Sequence, residues 1–401
     1  MRATVARVCR LRANPARCGF VDFLSLRFSR SHPLVIIGAG RAGMAAAIGA
    51  ARSGNAALVL DQASASACEP VPGDVANRIL LAPGTSVLSI SADREIFWSG
   101  HGRSGTFRAE KIVLATGRSP RAVPFPGWTL PGVHEARSVT DQEIRAGMRV
   151  LVAGAGSGVI TIAKRLAEAG ATIVAALLAD EASMEQDTSI PIHTNHAIYS
   201  AWGSARVSSA TFGPVDPETW TPLRSEARTE SVDLVVYDFG GIARDALATL
   251  AGCHMEIEPV SGEWRPICDP DGKTSVPGII WAVANAANHA PYLRDGLLDL
   301  VEPETIVCRC EAVPFGTLCQ EVAKGALDLT TLKLRSRIGM GSCQGRECGL
   351  AAGWLLAKET HRGRDAIGRI NPRPPALPVT LGALSRMTPN TPPPVVIGEA
   401  R

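Results

Sequence analysis

Four cysteines near the C-terminus have the spacing of ligands for a metal cluster. Cys308 and Cys310 form a C-x-C pair, 32 residues follow, and Cys343 and Cys348 then form a C-x₄-C pair. Each short pair lets one turn present two sulfurs, and the long gap lets the chain return to the same place. Thiolates in that arrangement hold iron–sulfur clusters, so the pattern predicts a centre that carries electrons.

The residues around these cysteines favour a cluster over other uses of thiols. Gly339, Gly341 and Gly345 give the backbone freedom to curl and to direct amides at sulfur. Positive charge nearby would offset the negative charge of an iron–sulfur core, and the neighbouring basic residues are Arg309, Lys333, Arg335, Arg337 and Arg346. Two alternatives stay open, a structural zinc site and four buried thiols without a ligand. Zinc pairs usually have two to four residues between the ligands, which a C-x-C pair lacks.

The elements that would position a cofactor begin with a dinucleotide fingerprint. A buried-strand run at 34–37 leads directly into Gly38-Ala-Gly40-Arg-Ala-Gly43 and an alanine-rich helix. In this motif Gly38 makes the tight turn, Gly40 lets a pyrophosphate approach the backbone, and Gly43 allows close helix–strand packing. The start of the helix then supplies amides to the phosphates.

The next residues complete that unit. A second strand at 57–60 ends at Asp61, where a carboxylate would accept hydrogen bonds from the ribose of a nucleotide. Arg41 and Ala42 lie inside the glycine motif, and the Arg41 side chain could reach a phosphate. Strand, glycines, helix, strand and acid occur in register, so we predict nucleotide binding here.

A second copy of the pattern is weaker. A strand at 149–153 leads to Gly154 and Gly156, and a helix and a strand at 171–178 follow. The third glycine position holds Val159, whose bulk should push helix and strand apart. We expect a Rossmann-like unit that holds a nucleotide, NAD or ATP, or one that has retained only the fold.

The remaining patterns indicate how the domains are divided. A strand at 111–115 ends in Ala-Thr-Gly, at Thr116 and Gly117, and the proline-rich residues 123–133 suit a crossing between two domains. The predicted fold class is α/β, with two Rossmann-like dinucleotide-binding domains and a small α-rich domain for the cysteines. The expected segments are a basic extension at 1–32, a first domain at 33–135 and 231–300, a second at 136–230, the cysteine domain at 304–360 and a proline-rich tail at 361–401.

Composition and charge exclude several classes of protein. The chain has 401 residues, 46% apolar and 20% charged, which suits a multidomain globular protein. A net charge of +3 gives no reason to invoke nucleic acid. Ten cysteines without a secretory pattern argue for a reducing compartment, so we expect a cytoplasmic protein. No run of eighteen apolar residues occurs, so we expect no transmembrane segment, and any membrane association would be peripheral, through a complex.

The first 32 residues are treated separately from the fold. They are rich in arginine, contain no lysine and have a single acid, Asp22. This composition is typical of a targeting segment, and an upstream extension from a start codon assigned too early would give the same pattern.

Taken together, these motifs resemble the two-dinucleotide-binding-domain flavoproteins. The proline-rich run at 123–133, the Cys-Arg-Cys-Glu at 308–311 and the segment at 339–348 are similar to the α subunits of heteromeric amine dehydrogenases. That branch includes the α-type chain of opine oxidase, the hydroxyproline and proline dehydrogenase α subunits, and the B subunit of hydrogen cyanide synthase. The resemblance covers residues 34 to about 386. The cysteine domain is also similar to bacterioferritin-associated ferredoxin and to a part of anaerobic glycerol-3-phosphate dehydrogenase.

The resemblance implies a division of labour between subunits. A partner β subunit with its own FAD would oxidise the C–N bond of an amino acid, imino acid or opine, and this chain would transfer electrons onward. A small ferredoxin-like subunit is a further expected partner. The resemblance implies that the fingerprint glycines and Asp61 hold FAD. It also implies that Thr116 and Gly117 lie against the flavin-bearing strand, and that the four cysteines hold a [2Fe–2S] cluster. No residue identifies a catalytic base.

Two other functions are weighed against this one. A self-sufficient pyridine-nucleotide disulfide reductase commonly uses a C-x-x-C pair, and none occurs in this sequence. A non-catalytic cluster-carrying or assembly subunit with a decayed flavin site is the main alternative. Two departures from the family pattern support this alternative. Val283-Ala284-Asn285 stands where the family usually has Gly-Asp against the flavin ribitol, and the segment after Asp61 is short.

Overall fold

The computed structural model describes residues 31–64, 68–181, 190–258, 261–282 and 293–397. The basic extension up to residue 30 and the segment 283–285 lie outside these residues. The helices are α1 Arg41–Arg52, α2 Gly158–Glu168, α3 Ala246–Leu250, α4 Phe315–Ala323, α5 Leu329–Ser336, α6 Cys348–Thr360, α7 Arg364–Ile367 and α8 Leu381–Leu384. The strands are β1 Ser31–Ile37, β2 Ala57–Leu60, β3 Ile79–Ala82, β4 Thr85–Ile90, β5 Glu95–Gly100, β6 Arg103–Leu114, β7 Arg118–Pro120, β8 Val133–Glu135, β9 Arg149–Gly154, β10 Thr172–Leu178, β11 Ile192–Thr194, β12 His196–Trp202, β13 Ser209–Pro214, β14 Arg228–Ser231, β15 Leu234–Asp238, β16 Gly241–Ala243, β17 Met255–Ile257, β18 Trp264–Pro266, β19 Ile279–Trp281, β20 Ile306–Cys308, β21 Val313–Pro314, β22 Met387–Thr388 and β23 Val396–Ile397.

The first sheet is built around the predicted fingerprint. Its hydrogen-bonded order is β23-β3-β2-β1-β6-β5-β4, and β19 and β22 pair with β6. The strands β3, β2, β1 and β6 run parallel, so their carboxyl ends meet at one edge. Helix α1 buries Met44, Ala47 and Ala51 on one face against this sheet, which is the helical spacing expected for an amphipathic helix.

The second sheet confirms a second Rossmann-like unit, and it corrects the predicted domain boundary. Its order is β11-β10-β9-β15-β8, with all neighbours parallel. The predicted boundaries place both β15 and β8 in the first domain. Strand β15 belongs to the second sheet because its apolar run at 234–237 pairs with β9 and is buried there. Strand β8 belongs to the same sheet because it pairs with β15. Residues 192–231, for which no element is predicted from the sequence, form β11 and the antiparallel strands β12, β13 and β14.

The cysteine domain shares a hydrophobic core with the second domain. Helices α4, α5 and α6 bury Leu318, Leu332 and Leu355 in the same cluster as residues of the proline-rich crossing. In that crossing the Trp128 indole N–H donates to the Ile306 carbonyl at 2.5 Å, directly before the first cysteine pair. The crossing therefore connects three parts of the molecule rather than two. None of the helices in the described ranges has the length and apolarity needed to cross a bilayer.

The C-terminal tail folds onto the first domain, where the sequence predicted only an extended proline-rich segment. Strand β22 pairs with β6 and β23 pairs with β3. Between them the Trp98 indole N–H donates to the Thr391 carbonyl at 2.7 Å. A Cβ atom at Gly105 would lie 2.8 Å from the Thr388 carbonyl oxygen, so a glycine is needed for this close approach.

Trp98→Phe is expected to reduce the free energy of unfolding by about 2 kcal/mol, because the Thr391 carbonyl loses the donor of a fully buried indole. Urea unfolding followed by circular dichroism measures this. The matched control is Trp202→Phe, whose ring is 54% exposed and which should change stability by less than about 0.5 kcal/mol. Equal unfolding midpoints for the two variants would contradict a stabilising role for the tail.

Candidate functional site

The carboxyl edge of the first sheet carries the predicted nucleotide site. Gly38, Asp61 and Thr116 follow β1, β2 and β6, and all three line one cavity of about 530 Å³ together with Gly40 and Gly117. This volume lies within the range of about 300–1,000 Å³ that is usual for small-molecule sites. The edge lies where β2 and β6 flank β1, which is where parallel α/β sheets bind ligands.

The three fingerprint glycines have the three predicted geometries. Gly38 has φ +111°, and a Cβ atom there would lie 2.1 Å from the Ala115 carbonyl oxygen. A Cβ atom at Gly43 would lie 1.8 Å from the Gly38 carbonyl oxygen, so the helix could not pack as closely with any other residue. At Gly40 a Cβ atom would meet nothing within 4 Å. The space beside Gly40 is thus open to a ligand.

The start of helix α1 can receive an anion. Gly40 caps the helix without a side-chain hydrogen bond, and the first turn contains no acidic residue. The first amides of a helix need partners, and together with the helix dipole they favour phosphate. Arg41 is exposed and Ala42 is half-buried at this end of the helix. Both are placed as the fingerprint predicts.

Asp61 is held at the same edge by backbone amides. Its Oδ2 accepts a hydrogen bond from the Ala39 amide at 2.6 Å, and its Oδ1 accepts one from the Ala63 amide at 2.7 Å. Each carboxylate oxygen can accept a second bond, so capacity remains for ribose hydroxyls. Because the glycine geometry, the open helix start and this carboxylate agree, the residues present fit the pyrophosphate and ribose of FAD.

The middle of the cavity is closed by a segment that returns from the second domain. The Thr116 hydroxyl donates to the Arg244 carbonyl at 2.8 Å, and the Arg244 amide donates to the Gly117 carbonyl at 3.1 Å. Residues 242–247 therefore line the cavity beside Thr116 and Gly117. The sequence motif at 116–117 contained no information about the segment that crosses these two residues.

The four predicted cluster cysteines are brought together. Cys308 ends β20, Cys348 begins α6, and both are buried, whereas Cys310 is exposed. The Cys348 thiol lies near enough to Cys308 and Cys343 to shift their pKa values, and Cys343 is likewise a neighbour of Cys310. None of these cysteines is in a disulfide.

These contacts make the thiols electrostatically unequal. The hydrogen bond from Cys348 lowers the pKa of Cys343 to about 4 and that of Cys308 to about 6. The same contacts raise the pKa of Cys348, and burial raises that of Cys310. The sulfurs form a chain of neighbours. In the described residues, no three or more His, Cys, Asp or Glu side chains converge on one point as ligands of a single ion.

The glycines around the cysteines are required by close packing. A Cβ atom at Gly341 would lie 2.2 Å from the Cys310 Cβ, so only glycine lets the 339–343 loop reach the first cysteine pair. Three of the basic side chains expected near the cysteines contact other groups. Arg337 pairs with Glu311 at 2.8 Å, the Arg309 guanidinium lies 5.1 Å from the centre of the Trp128 ring, and Arg335 donates to the Lys324 carbonyl.

The loop between Cys343 and Cys348 lies directly against the cavity. Gln344, Gly345 and Arg346 all line it, and the Gln344 side-chain amide donates to the Pro375 carbonyl at 3.0 Å. The thiols and the nucleotide cavity are thus separated only by this short loop. The sequence predicted both sites but contained no sign that they adjoin.

The second fingerprint folds as a Rossmann-like turn. The Gly156 amide donates to Asp180 Oδ1 at 2.9 Å, so Asp180 is the counterpart of Asp61. A Cβ atom at Gly154 would lie 1.8 Å from the Asp238 carbonyl oxygen, and Val159 is accommodated in the core although its bulk was expected to separate helix and strand. Neither Gly154 nor Gly156 lines the large cavity.

Negative charge surrounds the start of helix α2. A Cβ atom at Gly158, its first residue, would lie only 2.9 Å from Asp238 Oδ2. Glu135 lies nearby, and burial, with a smaller contribution from Asp238, raises the pKa of its carboxyl group. A charged carboxylate at this position would repel a phosphate group.

Sequence reasoning missed several charged residues that line the cavity. Arg118 pairs with the buried Glu263 at 2.7 Å, and Arg369 pairs with Asp245 at 2.8 Å. Trp354 of helix α6 also lines the cavity. These side chains come from distant parts of the chain and match no motif.

The fold and the first site define a dinucleotide-binding oxidoreductase of the flavoprotein type. The sequence profile of the pyridine nucleotide-disulphide oxidoreductases matches residues 32–301. The chain belongs to that family, and it is accordingly a flavin oxidoreductase. A second profile, that of the sarcosine oxidase A3 domain, matches residues 307–387 and so includes all four cysteines.

Individual relatives resemble nearly the whole chain. Hydrogen cyanide synthase subunit HcnB of Pseudomonas aeruginosa is 26% identical, over 88% of this chain and 98% of its own length. The A subunit of opine oxidase from Agrobacterium tumefaciens is 25% identical, over 89% of this chain and 92% of its own. The aligned lengths, 466 and 478 residues, exceed the 401 residues of this chain, so both relatives contain segments that it lacks.

A solved structure supports the fold. L-proline dehydrogenase from P. horikoshii superposes with a TM-score of 0.69, over 88% of this chain and 79% of the other, at 18% identity. At that identity the likeness establishes the fold alone. The predicted α/β architecture with two dinucleotide-binding units is confirmed.

Proposed function

We propose that this chain is the FAD- and [2Fe–2S]-containing electron-transfer subunit of a heteromeric dehydrogenase or oxidase that acts on a C–N bond. The observation that carries the proposal is the loop Gln344–Gly345–Arg346, which joins two of the four cysteines and also lines the flavin cavity. A redox relay needs its two centres to be adjacent and separated by protein. A structural metal site would not need this placement.

The first fingerprint supplies the flavin site of the proposal. Gly38, Gly40 and Gly43 with the start of α1 would hold the pyrophosphate, and Asp61 would hold the ribose. Bound FAD supplies the ability to accept an electron pair and to release single electrons. The intact geometry here favours a retained flavin site over the decayed one that the sequence left open.

The four thiols supply the cluster site of the proposal. Four cysteine ligands from two loops suit a [2Fe–2S] centre, in which two cysteine sulfurs would bind each of the two irons. Cys343 and Cys348 flank the loop that lines the cavity, and Cys310 is exposed on the surface. The cluster would therefore connect the buried flavin with the outside of the molecule.

The expected reaction and partner rest on the relatives. Two are named as subunits, of hydrogen cyanide synthase and of opine oxidase, and the matched structure is an L-proline dehydrogenase. We propose that a β subunit with its own FAD binds the amino acid, imino acid or opine and oxidises it. This chain would take the electrons from it, and a small ferredoxin-like subunit is a further proposed partner. The second fingerprint is proposed to keep the fold without a nucleotide.

A reductive titration of the purified chain under anaerobic conditions tests this function. Stepwise addition of dithionite should bleach the flavin absorbance and produce the electron paramagnetic resonance signal of a reduced [2Fe–2S] cluster in the same sample. Complete flavin reduction without any cluster signal, in protein that contains iron, would contradict the relay. Binding of the chain to its β subunit can then be followed by the recovery of substrate-driven flavin reduction.

A further inference from the structure

Two cysteines outside the cluster site lie opposite each other at the open end of a β-hairpin. Strands β17 and β18 pair in antiparallel register. The register continues outward from the strands, because the Ile267 amide donates to the His254 carbonyl at 2.9 Å. The next pair in the same register is Cys253 and Cys268. Neither of these cysteines is in a disulfide.

The position of this pair in the ladder suits a disulfide. Hydrogen-bonded and non-hydrogen-bonded pairs alternate along antiparallel strands. Because His254 and Ile267 are hydrogen-bonded, Cys253 and Cys268 form a pair of the other kind, whose Cα atoms are usually about 4.5 Å apart. A disulfide joins residues whose Cα atoms are about 4.4–6.8 Å apart. The spacing of such a pair is therefore one that a disulfide can bridge.

The surroundings of the side chains also place the two thiols close together. The Cys253 thiol donates to the Thr274 hydroxyl at 3.4 Å, and Thr274 pairs with Cys268 in an antiparallel bridge. Burial and, to a smaller extent, the Cys253 sulfur raise the pKa of Cys268 to about 11. Burial raises the pKa of Cys253 as well. Both groups are therefore largely protonated at neutral pH, unlike the thiolate of a catalytic cysteine.

We propose that Cys253 and Cys268 are the site of a reversible disulfide, which closes by exchange with a low-molecular-weight disulfide, RSSR. Cys268 is half-buried and Cys253 is buried, so Cys268 reacts first. Its thiolate attacks one sulfur of RSSR, and one RS⁻ leaves. The Cys253 thiolate then attacks the Cys268 sulfur, and the second RS⁻ leaves. The leaving groups take up the two thiol protons, so the protein loses two electrons and two protons while RSSR becomes two RSH.

The bond would close a hairpin that lines the large cavity. Ile257 and Trp264, further along the hairpin, line this cavity. Ala246, at the start of the helix that ends shortly before Cys253, lines it as well. A covalent link between Cys253 and Cys268 restricts how far the two strands can separate. Oxidation should therefore stiffen one side of the cavity, and this inference does not depend on the proposed function.

The test is alkylation and peptide mass spectrometry of the whole chain after equilibration in anaerobic buffers with rising ratios of oxidised to reduced glutathione. Trypsin does not cleave before proline, so the Arg265–Pro266 bond survives and both cysteines lie on one peptide, 245–273. Disulfide formation should make this peptide two hydrogens lighter and remove both of its alkylation sites together. If both cysteines are still alkylated in the most oxidising buffer, the proposal is wrong.

Cys68 is the internal control, because it is half-buried like Cys268 and is the single cysteine of the tryptic peptide 53–78. It should stay open to alkylation throughout. In Cys253→Ser, Cys268 should retain bound glutathione, since the thiol that would release it is absent. Retained glutathione on Cys268 in the wild type would contradict the pairing. If Cys253→Ser does not fold, Cys268→Ser, at the less buried position, should leave Cys253 open to alkylation.

Hydrogen exchange tests the effect on the cavity wall. The amides of β17 and β18 should exchange at least about threefold more slowly in the oxidised chain than in the reduced one, because opening of the hairpin is restricted. The strands β12 and β13, in the second domain, are the control and should exchange at the same rate in both states. Equal exchange of β17 and β18 in the two states would show that the bond does not stiffen the hairpin.

Discussion

Cys343→Ser is expected to remove the iron–sulfur absorbance and to abolish electron transfer to an external acceptor while FAD remains bound. The Cys343 sulfur is in contact with those of Cys348 and Cys310, so its loss interrupts the chain of four sulfurs at its centre. The loss of activity should exceed the factor of about 10–100 that changes next to a metal ligand cause. Iron content, visible absorbance and flavin fluorescence after acid extraction measure the three expectations on one sample.

Cys319→Ser is the matched control for this variant. Cys319 lies on α4 in the same domain, half-buried, and its nearest polar contact is Glu359. Its replacement should leave iron, flavin and activity as in the wild type. Full activity of Cys343→Ser in the presence of the partner subunit would show that any metal held by these cysteines is structural.

Gly40→Val is expected to abolish FAD binding without unfolding the protein. Gly40 has φ −77° and ψ −178°, an extended conformation that valine adopts readily, and the space around its Cβ position is empty. The free energy of unfolding should therefore change by less than about 1 kcal/mol. The added methyl groups occupy the place of the pyrophosphate, so the dissociation constant should rise by at least about 100-fold, or about 3 kcal/mol. Fluorescence titration with FAD measures the affinity.

Two other glycines in the same segment provide the controls. Gly49 lies in α1 with open space around it, and Gly49→Ala should raise stability by about 1 kcal/mol without affecting FAD binding. Gly43→Ala should instead destabilise the fold, because its Cβ would lie 1.8 Å from the Gly38 carbonyl oxygen. Wild-type FAD affinity in Gly40→Val would show that the first fingerprint does not bind the pyrophosphate.

The local parts of the site could be predicted from the sequence because their chemistry is local. Gly38, Gly40, Gly43 and Asp61 lie within 24 residues, and the geometry of one turn determines the role of each. The role of the cysteine pairs could be predicted for the same reason, since two sulfurs on one turn lie close enough to bind one ligand. The structure places the three glycines and Asp61 at one edge of the first sheet.

What could not be predicted depends on contacts between distant segments. Strand β15 reads as a buried strand, but no local signal tells whether it pairs with the first sheet or the second. The tail has little local propensity for helix or strand. Its position is determined by the Trp98–Thr391 hydrogen bond and by the pairing of β23 with β3. The expected role of Val159 as an obstacle was also wrong, because its side chain fits between helix and sheet. Whether a position is crowded depends on its neighbours.

The most direct test of the account is the visible absorption spectrum of anaerobically purified protein, combined with iron, sulfide and acid-extractable flavin analysis. The account predicts flavin bands together with a broad iron–sulfur shoulder, and iron and sulfide in equal amounts. Flavin without iron would contradict the cluster, and iron without flavin would contradict the flavin site at the first fingerprint. Either result would contradict the proposed transfer of electrons between a flavin and a cluster on the two sides of the loop between Cys343 and Cys348.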